Sequence, residues 1–222
     1  SAASDVYKRQ LLCKISRYVF CARNRRRFKR VFTKGIDKGR GIRVKTACFI
    51  PIKANSERVP GKNLRLLNGK KLYEYICEHV KQAEVFDDVF IDTNSEEVAE
   101  YANKMGFRVI ERKPELAKNT ANGNDLLVYH FEQYPEYDYY FQAFATAPYM
   151  QADTIKKCYG RLIYSEEFDS CFTATENHGF YWLSDNPINY RPGILPRSQD
   201  MLPVIEETTG LYGICLLYTS PS

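Results

Sequence analysis

From residue 46 onward, short apolar runs alternate with segments in which apolar residues recur every three or four positions. Runs of the first kind predict buried strands and segments of the second kind predict helices. The predicted strands cover residues 46–52, 88–92, 107–111, 139–144 and 170–175, and the predicted helices cover 71–84, 95–105, 124–133 and 152–164. After residue 175 the pattern weakens into loops and ends in a short strand at 211–214.

The alternation of strands with helices predicts βαβ units, and therefore an α/β fold with a mostly parallel sheet. The helix boundaries carry their own signals. Ser95 precedes a first turn that holds Glu96 and Glu97, where the helix dipole favours acidic side chains, and Gly106 follows the last turn. In such sheets ligands bind beyond the carboxyl ends of the strands, so the loops that follow the strands are the expected place for chemistry.

Charge divides the chain into two parts. Residues 1–45 carry a net charge of +13, whereas residues 46–222 carry −8, so the overall value of +5 describes neither part. The run at residues 23–30 has the composition of a nucleic-acid-binding arm. We interpret residues 1–45 instead as a basic extension that is non-native or unstructured, and we expect no nucleic-acid binding.

The two ends of the chain favour that interpretation. One short DNA string, which resembles a sequencing adapter, encodes Cys215-Leu216-Leu217-Tyr218-Thr219-Ser220, and its reverse complement encodes Asp5-Val6-Tyr7-Lys8-Arg9-Gln10. We therefore expect one domain at residues 46–214, truncated at its carboxyl end, and an adapter-derived tail at 215–222.

The cysteines indicate a reducing compartment. Seven cysteines are scattered without Cys-x-x-Cys pairs, which disfavours both a zinc site and a disulfide framework and predicts a cytoplasmic protein. No apolar stretch is long enough to span a membrane, so we expect no membrane partner.

The loop directly after the first predicted strand of the domain is basic and polar. It reads Lys53-Ala54-Asn55-Ser56-Glu57-Arg58-Val59-Pro60-Gly61-Lys62-Asn63 and matches neither a Rossmann nor a Walker phosphate loop. Its cations could neutralise a polyphosphate, and Pro60-Gly61 would turn the chain so that Lys62 returns toward Lys53. On the residues alone, phosphate binding and a plain solvated loop are equally favoured, and for Arg58 we favour the solvated role.

In this loop and in several later segments the sequence resembles the acylneuraminate cytidylyltransferases, the CMP-sialic acid synthetases. The resemblance begins at Ile50-Pro51-Ile52 and the loop above, and continues, in order, at Leu66-Leu67-Asn68-Gly69-Lys70-Lys71-Leu72, Asp92-Thr93-Asn94-Ser95-Glu96-Glu97, Arg112-Lys113-Pro114-Glu115-Leu116-Ala117, Ala145-Thr146-Ala147-Pro148 and Pro196-Arg197-Ser198-Gln199-Asp200. It covers residues 46–214 and implies a three-layer, Rossmann-like nucleotidyltransferase fold.

The activity that this resemblance implies is transfer of CMP from CTP to an acidic sugar, with release of pyrophosphate. Lys53 and Lys62 match catalytic cations that contact the triphosphate. Further matches to nucleotide contacts are Asn55, Ser56, Asn63 and Arg112, and matches to the segment that faces the sugar acid are Arg197 and Gln199. For Arg112, a structural role at the end of its strand is the alternative. The resemblance also implies Mg²⁺ and a homodimer.

The chain departs from the family pattern at three places. Lys53 replaces the usual Arg, which keeps the charge but loses the bidentate geometry. Phe144 stands where the family often has a Gln, and Gln142 lies two residues earlier, so whether Gln142 contacts the nucleotide is left open. The acidic pair that binds metal in the family would lie beyond residue 214, so the metal ligands are unknown, and we expect this chain to bind CTP weakly or not to turn over.

Two enzyme alternatives remain. One is another sugar nucleotidyltransferase, such as an enzyme for 3-deoxy-manno-octulosonate, and the other is a nucleotide-sugar-dependent glycosyltransferase on a similar sheet. Stabilisation of the protein by UTP or GTP but not by CTP would count against CMP transfer from CTP.

Overall fold

A computed structural model describes residues 18–22, 44–56, 59–118, 121–165 and 168–215. For residues 18–22 the description covers the backbone alone. The basic run at 23–30, Arg58 and residues 216–222 lie outside the described residues. Within the described ranges, no helix combines the length and the apolar composition that crossing a bilayer requires.

A seven-stranded sheet forms the centre of the fold. Its strands are β1 (Tyr18–Ala22), β2 (Thr46–Ile52), β5 (Asp88–Thr93), β6 (Arg108–Glu111), β7 (Tyr139–Ala143), β8 (Ser170–Asn177) and β11 (Val204–Cys215), in the spatial order β1-β8-β11-β7-β2-β5-β6. The pairs β7–β2, β2–β5 and β5–β6 are parallel, whereas β11 is antiparallel to both of its neighbours. The mostly parallel sheet that the alternation predicts is confirmed.

Two small ladders lie outside this sheet. They are β3 (Leu66–Leu67) with β4 (Lys70–Lys71), and β9 (Trp182–Leu183) with β10 (Asn186–Pro187). Neither ladder is predicted from the sequence, because strands of two residues leave no measurable period in an apolar pattern.

The helices are α1 (Leu72–Ala83), α2 (Glu96–Met105), α3 (Pro114–Ala117), α4 (Gly123–Gln133) and α5 (Ala152–Ile163), and short 3₁₀ turns occur at Lys62–Leu64 and Ser198–Asp200. The four longer helices lie within two residues of their predicted bounds. Among the helices of the described residues, α3, a single turn that begins at Pro114, is the one that the sequence does not predict.

Apolar side chains on the two faces of the sheet form two separate cores. On one face, β2 contributes Cys48, Ile50 and Ile52 to a core shared with α1, α2 and α5. On the other face, Ala47 and Phe49 pack with side chains of α4. Alternation along one strand therefore supplies both cores, and the molecule has three layers.

Strand β11 corrects one expectation. The sequence predicts loops followed by a strand at 211–214, but the strand begins at Val204 and has 12 residues. The register on β8 shifts between Glu207 and Tyr212, and this irregularity breaks the two-residue period by which the strand would have been recognised. Cys215, which we expected to begin the tail, is buried, and its N–H donates to the carbonyl of Asp169 at 2.9 Å.

Strand β1 lies within the range that we expected to be a non-native or unstructured extension. Residues 18–22 pair antiparallel with β8 at the edge of the sheet. The expectation of an unstructured extension therefore does not apply to these five residues.

Candidate functional site

The direction in which the chain builds the sheet reverses between β2 and β7. From β2 the chain adds β5 and β6 on one side and then returns to place β7 on the other side of β2. A crevice opens at the carboxyl ends of the strands at such a switch point, and this is where open α/β sheets bind ligands. The basic loop that begins at Lys53 follows β2 directly and so lies at this crevice.

The second half of the loop folds back on the first. Gly61 adopts a left-handed backbone with φ of 62°, which a side chain at that position would disfavour, and it leads into the 3₁₀ turn at Lys62–Leu64. The side chain of Asn63 is buried, and its Nδ2 donates to the carbonyl oxygen of Lys53 at 3.0 Å. The predicted turn therefore forms and places Lys62 and Asn63 beside Lys53.

Two neighbouring segments support the start of the loop. The N–H of Ala54 donates to Oδ1 of Asn94, which follows β5, at 2.9 Å. Nζ of Lys53 lies 3.4 Å from the carbonyl oxygen of Ala117, at the end of α3. The loop is thus tied to the carboxyl end of the adjacent strand and to the connection that precedes α4.

The remaining predicted loop residues, Asn55 and Ser56, precede the turn. Asn55 is exposed and Ser56 is half-buried. Both follow Lys53 within three residues of the chain.

Arg112 lies at the end of β6, where its side chain is buried against Asp92. Nε of Arg112 donates to Oδ1 of Asp92 at 2.7 Å, and its Nη2 donates to the backbone carbonyl of Asp92 at 3.0 Å. The other carboxylate oxygen, Oδ2, is 2.9 Å from Nε2 of His130 in α4. The guanidinium is therefore held by the neighbouring strand, in the structural role that the sequence left open for it.

The His130 ring stacks on Phe49 with a centroid distance of 4.3 Å. Burial alone would raise the pKa of Asp92, but the hydrogen bond from His130 and the positive charge of Arg112 outweigh it, so the pKa is lowered. Asp92 is therefore a buried carboxylate that joins β5, β6 and α4. Neither Asp92 nor His130 is predicted to be functional from the sequence, although a carboxyl group inside a buried strand is itself a signal that a partner must exist.

Gln142 lies near the end of β7 and is 5% exposed. Its Nε2 is buried and has no hydrogen-bond partner among the described residues. It lines a groove of about 650 Å³ on the α4 face of the sheet. Further lining residues are Asn122, Gly123 and Asn124 at the start of α4, and Leu127, Phe144 and Tyr212.

Arg197 and Gln199 lie in the exposed segment between β10 and β11. Nε of Arg197 donates to Oδ2 of Asp200 at 2.6 Å, so its hydrogen bond stays within the 3₁₀ turn. The structure therefore brings Lys53, Lys62 and Asn63 together, and it places Arg197 and Gln199 in a different segment.

Across the described ranges, no group of three or more His, Cys, Asp or Glu side chains is arranged to hold a metal ion. The His, Cys, Asp and Glu side chains of the described ranges therefore do not form a metal site by themselves.

Comparison with known proteins supports the family resemblance of the sequence. A family model described as cytidylyltransferase matches residues 47–189. The chain is 26% identical over 174 residues to N-acylneuraminate cytidylyltransferase A of Danio rerio, covering 75% of this chain and 40% of that protein. It is 28% identical over 185 residues to pseudaminic acid cytidylyltransferase of Campylobacter jejuni, covering 76% of this chain and 78% of that protein.

A solved structure shares the fold. A CMP:2-keto-3-deoxy-manno-octonic acid synthetase complexed with CTP superposes with a TM-score of 0.55 at 19% identity, over 77% of this chain and 74% of that chain. The chain spans about 40% of the length of the Danio rerio relative, so the similarity concerns only part of that protein.

Proposed function

The chain belongs to the cytidylyltransferase family, and on that premise we propose that it transfers CMP from CTP to a sialic-acid-like sugar and releases pyrophosphate. The anomeric hydroxyl of the sugar attacks the α-phosphorus and a new phosphorus–oxygen bond forms. The hydroxyl loses its proton to water, the bond from the α-phosphorus to the bridging oxygen of the β-phosphate breaks, and pyrophosphate leaves with that oxygen. The observation that carries the proposal is the folded-back loop at the switch point, in which Asn63 holds the Lys62 turn against Lys53.

In this reaction the chain's own residues act by position and charge. Negative charge builds on the triphosphate oxygens as pyrophosphate leaves, and preorganised cations stabilise that charge. We assign this role to Lys53 and Lys62, and we assign nucleotide contacts to Asn55, Ser56 and Asn63. Arg112 supports these contacts indirectly, because it fixes the ends of β5 and β6 through Asp92.

The sugar acid is assigned to the segment that holds Arg197 and Gln199. A guanidinium recognises a carboxylate through two parallel hydrogen bonds, and Arg197 is largely exposed. N-acylneuraminate and pseudaminic acid, the substrates in the names of the two relatives, both carry a carboxylate. We therefore propose a nonulosonic acid as the acceptor.

Three further properties belong to the proposal. Mg²⁺ is proposed to enter with the triphosphate, and we assign no step to it. A homodimer is proposed on the family resemblance. A cytoplasmic location is proposed because Cys48, Cys77 and Cys158 are buried thiols that form no disulfide among the described residues.

The test is an assay of pyrophosphate release with CTP, Mg²⁺ and a panel of N-acetylneuraminate, pseudaminate and 3-deoxy-manno-octulosonate, using the full reading frame. We expect release with one of the two nonulosonic acids and a product with the mass of its CMP conjugate. Lys62→Ala should lower kcat by about 10²-fold or more. The matched control is Lys81→Ala, on an exposed lysine of α1, and it should leave kcat unchanged.

Absence of pyrophosphate release with every acidic sugar of the panel would overturn the proposal. Release with 3-deoxy-manno-octulosonate alone would instead support the alternative substrate. Arg197→Ala separates the two subsites, since it should raise KM for the sugar and leave KM for CTP unchanged.

A further inference from the structure

We propose that the side-chain amide of Gln142 donates a hydrogen bond to a carbonyl oxygen of the pyrimidine ring of the bound nucleotide, an inference that rests on the proposed function. Gln142 is 5% exposed, and its Nε2 has no acceptor in the described part of the chain. Buried amide donors in folded proteins almost always have an acceptor, because an unpaired donor destabilises the fold. The acceptor of an unpaired donor that lines a groove lies outside the described residues, and a ligand bound in the groove can supply it.

Gln142 and the basic loop lie on the same face of the sheet. Gln142 pairs with Phe49 in the ladder between β7 and β2, and paired residues point to the same side. Phe49 packs on the α4 face, and alternation along β2 brings Lys53, four residues later, to that face as well. The contact between Nζ of Lys53 and the carbonyl of Ala117, just before α4, agrees with this placement.

The spacing suits a ligand with a charged end and an uncharged end. Four residues along a strand correspond to about 13 Å, so Gln142 lies that far down the sheet from the level of Lys53. A nucleotide whose phosphates contact the loop would therefore place its base toward Gln142.

The walls of the groove suit a flat ring. Phe144 and Tyr212 meet edge to face with a centroid distance of 5.9 Å, and Leu127 of α4 also lines the groove. Aromatic and aliphatic walls stabilise a planar base by contact with its faces, while polar groups read its edge.

The start of α4 brings backbone close to Gln142. A Cβ built on Gly123 would lie 3.8 Å from Oε1 of Gln142, so the glycine borders the same space. The side chain of Asn122 accepts from the N–H groups of Asn124 and Asp125, which satisfies two of the first donors of the helix. The amide of Gln142 is therefore the buried side-chain donor left for a ligand at this position.

The acceptor on the ring is a carbonyl oxygen, because the unpaired group of Gln142 is a donor. Cytosine and uracil share the 2-carbonyl. The hydrogen bond should therefore increase affinity for CTP and UTP alike, and it should not contribute to the choice between them.

The test is calorimetric titration of the protein with CTP, UTP and inorganic tripolyphosphate in the presence of Mg²⁺. The substitution Gln142→Leu keeps the approximate shape of the side chain and removes its hydrogen-bond donor. We expect this substitution to lower the affinities for CTP and UTP by a similar factor of about 10. The affinity for tripolyphosphate should be unchanged. The control Gln82→Leu makes the same substitution at an exposed position of α1 and should alter none of the three affinities.

Gln142→Leu should not lower the Tm of the protein without nucleotide, because it removes a buried donor that has no acceptor. If this variant fails to fold, Gln142→Met serves in its place with the same expectation. Equal CTP affinity in the variant and the unmodified protein would overturn the inference. An equal loss of affinity for CTP and for tripolyphosphate would overturn it as well. Both outcomes would leave the proposed function standing. An unmodified protein that does not bind CTP would overturn both.

Discussion

Arg112 and Asp92 form a buried ion pair that closes the ends of two neighbouring strands. Nε of Arg112 lies 2.7 Å from Oδ1 of Asp92, and neither side chain is more than 3% exposed. His130 approaches the second carboxylate oxygen from α4 at 2.9 Å. Arg112, which the family resemblance matches to a nucleotide contact, thus fixes the carboxyl ends of β5 and β6 next to the basic loop that follows β2.

Asp92→Asn should lower the free energy of unfolding by about 3–5 kcal/mol, because it leaves the Arg112 guanidinium buried without a counter-charge. Urea unfolding followed by circular dichroism measures this change. The control is Asp200→Asn, which breaks the exposed pair with Arg197 and should cost about 1 kcal/mol or less. Equal effects of the two substitutions would contradict the view that burial makes the first pair important.

The same carboxylate predicts a dependence of stability on pH. Because the pKa of Asp92 is lower in the folded protein than its ordinary value, the stabilisation is fully present above the ordinary pKa, near 4. It is lost as the pH falls further, through the folded pKa. Thermal unfolding between pH 6 and pH 3 should therefore show a steeper loss of Tm for the unmodified protein than for Asp92→Asn, and parallel curves would refute the prediction.

Gly213→Ala should destabilise the protein by about 1–3 kcal/mol through overpacking. A Cβ at this position of β11 would lie 2.6 Å from the Phe141 ring and 2.9 Å from the sulfur of Cys171, both in the core. Gly160→Ala is the matched control, because among the described residues its Cβ would approach only the side chain of Tyr164, at 3.7 Å or more. In helix α5 this control should stabilise by about 0.5–1 kcal/mol, so the two changes in urea midpoint should have opposite signs.

Asn63→Ala should weaken binding of inorganic tripolyphosphate, because the hydrogen bond that ties the Lys62 turn to Lys53 is lost. Removal of one buried hydrogen bond costs about 1 kcal/mol, which corresponds to a factor of about 5 in affinity. Calorimetric titration measures it. The control Asn103→Ala alters an exposed residue of α2, and an unchanged affinity in Asn63→Ala would show that the turn does not depend on this bond.

Cys48 and Cys77 should resist alkylation in the folded protein. Burial raises the pKa of both thiols far above their ordinary value, so the reactive thiolate is scarce at pH 8. Mass spectrometry after a timed exposure to iodoacetamide should find both residues unmodified, and the same exposure in guanidinium chloride should modify both. Rapid modification of either thiol under native conditions would contradict the burial.

The sequence by itself determined the strands and helices whose period is regular. The run at 46–52 predicts β2 with its observed bounds, and the Ser95 and Gly106 signals predict α2 to within a residue. These features depend on local backbone preferences and on one buried face, which are written in neighbouring residues. Only residues 211–214 of the long strand β11 were predicted, because its register shift disrupts the local pattern while its pairing partners lie far away in the chain.

Some features of the candidate site are likewise visible in the sequence, whereas others depend on the tertiary structure. A basic turn after β2 is visible in the sequence, because Lys53, Gly61 and Lys62 are close together in the chain. Only the tertiary structure decided that Asp92 meets Arg112 and His130, which are 20 and 38 residues away, and that the amide of Gln142 is buried beside the start of α4. Contacts between distant segments depend on how strands pair and helices pack, and no local pattern records the depth at which a polar group is finally buried.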